Sequence, residues 1–279
     1  MPSGIVRASD TADLTAKLLV EEVFAIARLK YNLRDICTVV PMEHLKGAIR
    51  IPTGLTGQEN VQTAERPEQT KGSWTSVSFD LEAKGKNMVT IEIPVEVELK
   101  SSVNLMQLYV RDAAKEIARM EDSQIYTVME TADEHAGTNT DWSSKTNGVS
   151  DYNPLDAISS MGSEIMAYGY TPRTLAVGIN VYHDLIANTH VRDTMDRGTV
   201  GVTGQLPMLG GYRVKMCPSL ADSRAWLVAD QDNAIVLGDG PVRTVKYAVD
   251  PAFIQGYAIA KWVEPKLANT NAIREHDYS

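Results

Sequence analysis

The sequence predicts an α+β fold, on three observations. Residues 104–131 contain no proline or glycine and carry apolar side chains at three- and four-residue spacing, which is typical of one long amphipathic helix. Residues 89–99 alternate between apolar and polar side chains, which indicates a strand with one buried face. From Gly211 onward, short alternating segments follow one another, separated by Asp, Gly and Pro. A chain that combines long helices with antiparallel strands belongs to the α+β class.

The composition is that of an ordinary globular protein of one or two domains. The chain has 279 residues, of which 43% are hydrophobic and 23% charged. Its formal charge of −9 argues against broad, non-specific binding to duplex DNA, which requires a basic face. No apolar run is long enough to span a membrane, and the N-terminal stretch has no apolar core of signal-peptide length. We therefore expect a protein made in a cytoplasm, with Cys37 and Cys217 reduced.

The first part of the chain predicts an arm, a helix and two short strands. Residues 1–11 are polar and read as an irregular arm. Apolar residues recur at helical spacing over 12–31, and the apolar run 36–42 predicts a short buried strand. A further strand begins near Ala48.

A long two-stranded ribbon is expected over residues 48–84. Residues 54–72 have almost no large apolar side chains, so on their own they are equally consistent with a disordered loop. Residues 74–84, however, alternate again and predict a returning strand. A lone hairpin is only marginally stable in water, and no third strand is evident beside it. We therefore expect a neighbouring subunit to support the ribbon.

The strand over 89–99 leads directly into the long helix. Pro94 lacks a backbone donor, which suggests an edge position or a bulge. The apolar face of the helix is predicted to be Met106, Val110, Ala113, Ile117 and Met120. The charged residues are expected to fall largely between these positions; they are Arg111, Asp112, Lys115, Glu116, Arg119, Glu121 and Asp122.

The second half predicts two helices and a series of strands between loops at 132–150 and 189–206. Asn153 and Pro154 are suited to the N-cap and first position of a helix that Gly169 can end. A buried strand is expected at 174–178, followed by a short helix with Asn180 as its cap. The later strands are predicted at 211–217, 224–230, 233–239, 242–249 and 253–263.

No pattern of residues indicates catalysis, a metal site or a cofactor. The sequence has no phosphate-binding glycine loop, no nucleophile elbow and no zinc-protease motif. The five histidines are scattered, and no carboxylate pair stands out among the many acidic residues. The residues therefore favour a structural or binding protein over an enzyme.

The order of these elements resembles the Hong Kong 97-type major capsid protein of tailed double-stranded DNA viruses, a fold shared by encapsulins. The most specific local similarity lies in 206–240, where Leu209-Gly210, Pro218-Ser219 and Gly238-Asp239 carry it. A second lies in 93–122, where an Ile-Pro-Val strand leads into the long helix. The resemblance covers roughly residues 12–265.

The resemblance implies a fold with an N-terminal arm, an extended β-hairpin loop, a long spine helix and a mixed α/β axial domain. The implied division is an arm at 1–11, peripheral segments at 12–47 and 87–152 with the spine helix at 104–131, an extended loop at 48–86, an axial domain at 153–250, and returning peripheral strands with a C-terminal tail at 251–279.

The implied function is a subunit that assembles into pentamers and hexamers of an icosahedral capsid enclosing double-stranded DNA, bound without sequence specificity. Its partners would be further copies of itself and separate scaffolding, portal and decoration proteins, with no membrane and no cofactor. Its location would be the virion, after assembly in the host cytoplasm. An encapsulin-like shell enclosing a cargo enzyme is the alternative, and a soluble enzyme with a lid hairpin is a more remote one.

The residues expected to carry assembly fall in three groups. In the extended loop, intersubunit contacts are assigned to Glu59, Arg66, Lys71 and Trp74. The loop 189–205 is expected to meet its symmetry mates at the capsomer axes through Arg192, Asp193, Asp196, Arg197, Gly198, Gly201 and Gly204. The spine helix contributes Arg111, Lys115 and Arg119.

Overall fold

The structure is a computed structural model. It describes residues 23, 26–27, 33–42, 49–56, 75–81, 85–94, 105–132, 142, 153–188, 191, 206–221, 223–229, 234–249 and 254–277. All structural statements below concern these residues.

The elements whose bounds are described are three helices, two short 3-10 turns and eleven strands. The helices are α1 (Leu105–Glu130), α2 (Pro154–Ala167) and α3 (Ile179–Ala187), and the 3-10 turns are Arg34–Ile36 and Thr270–Ala272. The strands are β1 (Thr38–Pro41), β2 (Ile49–Thr56), β3 (Thr75–Leu81), β4 (Gly85–Pro94), β5 (Thr174–Val177), β6 (Met208–Leu209), β7 (Tyr212–Met216), β8 (Arg224–Val228), β9 (Ile235–Val249), β10 (Ile254–Leu267) and β11 (Ile273–Asp277). They build a four-stranded sheet (β1-β9-β10-β4), a five-stranded sheet (β11-β8-β5-β7-β6) and a two-stranded ribbon (β2-β3).

The long helix α1 connects the two larger sheets. Its first half packs Val110, Ala113 and Ile117 against Ile91 of β4 and Ile259 of β10. Its second half buries other residues, including Ile125 and Met129, in the main core that surrounds the five-stranded sheet. The predicted helix and its apolar face are therefore confirmed for Val110, Ala113 and Ile117, while Met120 is only half-buried.

Two charged residues of α1 do not lie where the sequence suggested. Glu121 and Asp122 were grouped with the polar positions, yet both side chains are almost completely buried. The reason is that other parts of the chain supply their partners, as described below. The hydrophobic pattern of the helix shows the interruption of the apolar face at 121–122 but not the partners that lie there.

The four-stranded sheet differs from the prediction in two places. The segments 233–239 and 242–249 were expected as separate strands, but β9 runs continuously through both. Lys261 pairs with Val242 and Val263 with Asp239, so Gly240 and Pro241 stand opposite Trp262 alone as a bulge. The other difference is β1, which is half-exposed rather than buried because it lies at the edge of the sheet, parallel to β9. Pro94 ends the opposite edge strand, as its missing donor predicted.

The five-stranded sheet and its helices follow the prediction closely. The Asn153 side chain accepts a hydrogen bond from Leu155 N and caps α2, with Pro154 at the first helical position. Gly169, with φ of 84°, follows the end of α2, and every residue of β5 is buried. Asn180 was expected to cap α3, but the N-cap is Gly178 and Asn180 lies inside the helix.

The ribbon is confirmed for β2 and β3, which pair from Ile49–Leu81 to Thr56–Thr75 with an irregularity between Pro52 and Gly54. Within the described part of the chain, no third strand pairs with them. Leu81, at the root of the ribbon, is buried against Met42 and Val236. The ribbon therefore starts from the face of the four-stranded sheet on which Val236 lies.

The sheets do not follow the segment boundaries suggested by the sequence. Strand β9, from the segment 153–250, completes the four-stranded sheet. Strand β11, from the segment 251–279, pairs with β8 at the edge of the five-stranded sheet. The chain thus crosses between the two sheets more often than a linear division implies.

Candidate functional site: a buried charge cluster and the surfaces around it

Four charged side chains meet between α1 and the four-stranded sheet, and we call them the charge cluster: Arg34, Glu121, Asp239 and Lys261. Arg34 lies 2.6 Å from Glu121 and 2.6 Å from Asp239. Lys261 lies 2.8 Å from Glu121 and 3.1 Å from Asp239. Each carboxylate therefore bridges both cations, and the four formal charges sum to zero.

The burial of this cluster determines its energetics. The Glu121 side chain is 0% exposed and that of Lys261 is 5% exposed. Desolvation makes a buried charge expensive, so such a group is tolerated only when its partners compensate it. Burial alone would raise the pKa of Asp239, but Lys261 and Arg34 outweigh it and hold that pKa below its ordinary value. Asp239 is thus held in its ionised form, and the four side chains depend on one another for compensation of their burial.

The cluster joins parts of the chain that are far apart in sequence. Arg34 comes from the first 3-10 turn, Glu121 from the middle of α1, Asp239 from β9 and Lys261 from β10. Glu121 lies between the two apolar halves of α1, where the two cores adjoin. The cluster therefore fixes the first 3-10 turn and the four-stranded sheet on the long helix.

Gly238 and Asp239, which carry one of the local similarities noted in the sequence, make contacts on opposite sides of β9. Asp239 enters the charge cluster, whereas Gly238 faces the other side of β9. A Cβ at Gly238 would lie 2.7 Å from the Met42 sulfur and 3.0 Å from Leu81 Cδ2. The missing side chain at Gly238 therefore lets the root of the ribbon pack closely on the sheet.

Two further polar contacts attach α1 to its surroundings. The Asp122 carboxylate accepts a hydrogen bond of 3.0 Å from Leu33 N. Asn87 of β4 and Gln124 of α1 exchange two amide hydrogen bonds, of 3.2 and 2.8 Å. Sequence reasoning missed these residues and the charge cluster; the only available signal was the interruption of the apolar face of α1 at 121–122.

The three predicted residues of the spine helix lie on its exposed surface. Arg111, Lys115 and Arg119 are all exposed and follow one another at four-residue spacing. Lys115 lies 3.3 Å from Asp112, and Arg119 lies 3.9 Å from Glu116. Beside them is an open cleft of about 770 Å³ between the helix and the turn at 218–219. We call it the α1 cleft; it is lined by Lys115, Ala118, Arg119, Asp122 and Ser123 of the helix together with that turn.

The other predicted assembly residues lie outside the described part of the chain. They are Glu59, Arg66, Lys71 and Trp74 of the extended loop and Arg192, Asp193, Asp196, Arg197, Gly198, Gly201 and Gly204 of the loop 189–205, which we call the axis loop. The structure does describe the root of the ribbon. There, Lys266 Nζ donates a hydrogen bond of 2.6 Å to the Asp80 carbonyl oxygen, next to the buried Leu81.

The described residues present no arrangement suited to redox, metal or membrane chemistry. Cys37 and Cys217 are free thiols, and burial raises the pKa of Cys217 to about 12, so this thiol remains protonated. In the same part of the chain, no group of three or more His, Cys, Asp or Glu residues is placed to hold a metal ion. None of the described helices has the length and hydrophobicity needed to cross a membrane.

Comparison with known structures identifies the fold. The capsid of cyanophage P-SCSP1u superimposes with a TM-score of 0.67 at 13% identity, over 88% of each chain. A structure from Mycobacterium phage Che8 gives a TM-score of 0.64 at 14% identity, over 82% of this chain and 84% of that one. A virus-like particle from Pyrococcus furiosus gives 0.62 at 10% identity, over 94% and 98%. The protein therefore has the Hong Kong 97-like capsid fold.

Comparison with family models identifies the family. Residues 90–277, more than half of the chain, match the model described as phage capsid protein. No curated protein matches the sequence. The chain belongs to the phage capsid protein family and is a structural subunit of the virion capsid. The encapsulin-like alternative is not favoured.

Proposed function

We propose that the chain assembles into pentamers and hexamers of an icosahedral capsid that encloses double-stranded DNA, and that it carries no catalytic activity. The observation that carries this proposal is the ribbon. Its root is fixed by Leu81, yet β2 and β3 pair only with each other among the described residues. Because two strands alone are marginally stable, a neighbouring subunit is the natural support. In a shell, each subunit both provides and receives this support.

Under this proposal, the tip of the ribbon contacts the adjacent subunit. Glu59, Arg66, Lys71 and Trp74 lie in the extended loop and would make these contacts. Trp74 adds a large apolar surface with one polar group, a type of side chain that is enriched at protein interfaces.

The axis loop 189–205 would close the capsomers. Opposite charges at Arg192, Asp193, Asp196 and Arg197 can pair between adjacent copies, although each exposed pair contributes only about 0–1 kcal/mol. The loop also contains Gly198, Gly201 and Gly204, and glycine can adopt backbone conformations that other residues avoid. One sequence can thereby fit both five-fold and six-fold positions.

We also propose two domains that meet along α1. The peripheral domain is built on the four-stranded sheet, with residues 48–86 extending from it, and the axial domain is built on the five-stranded sheet. This division keeps the peripheral segments 12–47 and 87–152. The linear division at residue 250 assigned β9 to the axial domain and β11 to the peripheral one. We reverse both assignments, because β9 pairs with β10 of the four-stranded sheet and β11 pairs with β8 of the five-stranded sheet.

The proposed partners follow from the same assembly. Packaged DNA would be held without sequence specificity, and the net charge of −9 suits an inner surface that does not bind the genome tightly. Separate scaffolding, portal and decoration proteins would assist, and assembly would take place in the host cytoplasm.

Deletion of residues 56–70 tests the role of the ribbon. We expect the shortened chain to fold, with circular dichroism and a melting temperature close to those of the intact subunit, but to form no shells in electron micrographs. Shells of normal size from the shortened chain would contradict the proposal.

The axis loop has a matched test. We expect Arg197→Glu to weaken capsomer formation in native mass spectrometry without lowering the melting temperature of the subunit. Arg173→Glu is the control, since it reverses an exposed arginine just before β5. Equal effects of both variants would show that general charge, rather than the axis loop, is responsible.

A further inference from the structure

The α1 cleft is a concave surface to which the ribbon and axis-loop contacts proposed above assign no role. Its rim holds Lys115 and Arg119, the spine-helix residues that the resemblance assigned to assembly. Leu81 and Met42 fix the ribbon on the face of the four-stranded sheet that carries Val236 and Gly238. The next residue, Asp239, contacts Arg34 and Lys261 on the opposite face, toward α1. The ribbon and the α1 cleft therefore belong to opposite sides of the sheet.

The charges at the rim of the cleft are available to a ligand. The side chains of Lys115 and Arg119 are 61% and 77% exposed, and their ion pairs with Asp112 and Glu116 are exposed contacts within one helix. Such pairs contribute little to stability, so a competing carboxylate replaces them at small cost. Arg111 continues the same basic row one turn earlier.

The spacing of this row matches that of a peptide. Four helical residues advance about 6 Å along the axis. Two residues of an extended chain advance about 6.6 Å, so carboxylates at alternate positions of an extended segment align with Lys115 and Arg119. Ser123 and Ser219 supply hydroxyl groups that can bond to peptide backbone. Asp122 already accepts from Leu33 N, so the acidic group of the floor is committed within the protein.

A polyanion such as duplex DNA fits this surface less well. Over residues 111–119, three cations alternate with two carboxylates, leaving a net charge of only +1. Tight duplex binding requires many phosphate contacts from a basic face. A cleft of about 770 Å³ accepts a short peptide, whereas a duplex would touch only its rim.

We propose that the α1 cleft binds an acidic peptide segment, with carboxylates at alternate positions, carried by a protein other than the shell subunit. The choice of a different protein rests on the proposed function, in which the ribbon on the opposite side makes the contacts between copies. A chain of net charge −9 repels an acidic partner over much of its surface, so this basic row also directs where the partner docks.

Fluorescence anisotropy with the full-length chain tests the proposal. The probe is a short labelled peptide in which glutamate alternates with alanine; its glutamine counterpart and a short labelled DNA duplex are compared with it. We expect saturable binding of the glutamate peptide only, weakened by added salt because exposed charges are screened. The double variant with Lys115→Glu and Arg119→Glu should bind the glutamate peptide about tenfold or more weakly. The control is a double variant with Arg173→Glu and Arg213→Glu, which reverses two exposed arginines at the five-stranded sheet and should keep the affinity unchanged.

Photocrosslinking from the same peptide locates the site, and crosslinks should map to 115–123 and 218–219. Several outcomes would overturn the proposal: no saturable binding of the glutamate peptide, affinity unchanged by the double reversal, crosslinks elsewhere, tighter binding of the duplex at the same residues, or displacement of the probe by a peptide of residues 56–70. Particle formation by the double variant is measured separately by electron microscopy. Normal shells from a variant that no longer binds the peptide would show that Lys115 and Arg119 are not needed for contacts between copies. The ribbon is tested by its own deletion, so the two hypotheses fail independently.

Discussion

Removal of one cation from the charge cluster should destabilise the subunit by an amount that depends on pH. In Lys261→Met, the apolar stem remains, but Glu121 and Asp239 then share Arg34 alone. One buried carboxylate is left uncompensated, a situation that costs about 3–5 kcal/mol.

Protonation of the orphaned carboxylate limits this cost. For a glutamate with an ordinary pKa of about 4.3, the free-energy cost of protonation is about 3.7 kcal/mol at pH 7 and about 1 kcal/mol at pH 5. We therefore expect Lys261→Met to lower the free energy of unfolding by about 3–4 kcal/mol at pH 7 and by only about 1 kcal/mol at pH 5.

Urea unfolding of the unassembled subunit, followed by tryptophan fluorescence, measures both values. The matched control is Lys115→Met, whose side chain is exposed on the same helix and which should change stability by less than about 0.5 kcal/mol. The second variant, Lys261→Met with Glu121→Gln, should be more stable at pH 7 than Lys261→Met alone, since it removes the orphaned charge. A cost of Lys261→Met that is equal at both pH values, or below about 1 kcal/mol at pH 7, would refute the reasoning.

Three further predictions concern other contacts. Lys261 and Arg34 hold the pKa of Asp239 below its ordinary value, so the resulting stabilisation is present above a pH of about 4 and is lost as the pH falls further. Asp239→Asn should therefore flatten the dependence of the free energy of unfolding on pH in that acid range. An unchanged slope would contradict this prediction. Gly85→Ala should destabilise by about 1–3 kcal/mol in urea unfolding, because the new Cβ would lie about 2.3 Å from the Val263 carbonyl oxygen; a neutral effect would show that β4 can shift. Asn153→Ala should cost about 1 kcal/mol through loss of the α2 cap, whereas Asn153→Ser should retain most of the stability.

Local sequence signals were sufficient to predict several elements of the fold. They identified α1, the ribbon, the α2 cap and β5, because in each case the signal lies within a few neighbouring residues. They were also sufficient to place Arg111, Lys115 and Arg119 on the exposed surface of α1.

The parts that were missed depend on distant residues. Glu121 is buried because Arg34 and Lys261, 87 and 140 positions away, neutralise it. The continuous strand β9 passes through Gly240 and Pro241, residues that normally signal a break, because pairing with β10 accommodates a bulge there. Gly178 replaces Asn180 as the cap of α3, since the end of β5 fixes where the helix begins. Each case requires the tertiary fold, which a local pattern does not contain.

Electron cryomicroscopy of the purified full-length chain tests the central claim most directly. We expect closed icosahedral shells in which the ribbon formed by β2 and β3 of each subunit lies on an adjacent copy. A solution of single chains under all assembly conditions, or shells in which every ribbon rests on its own subunit, would contradict it.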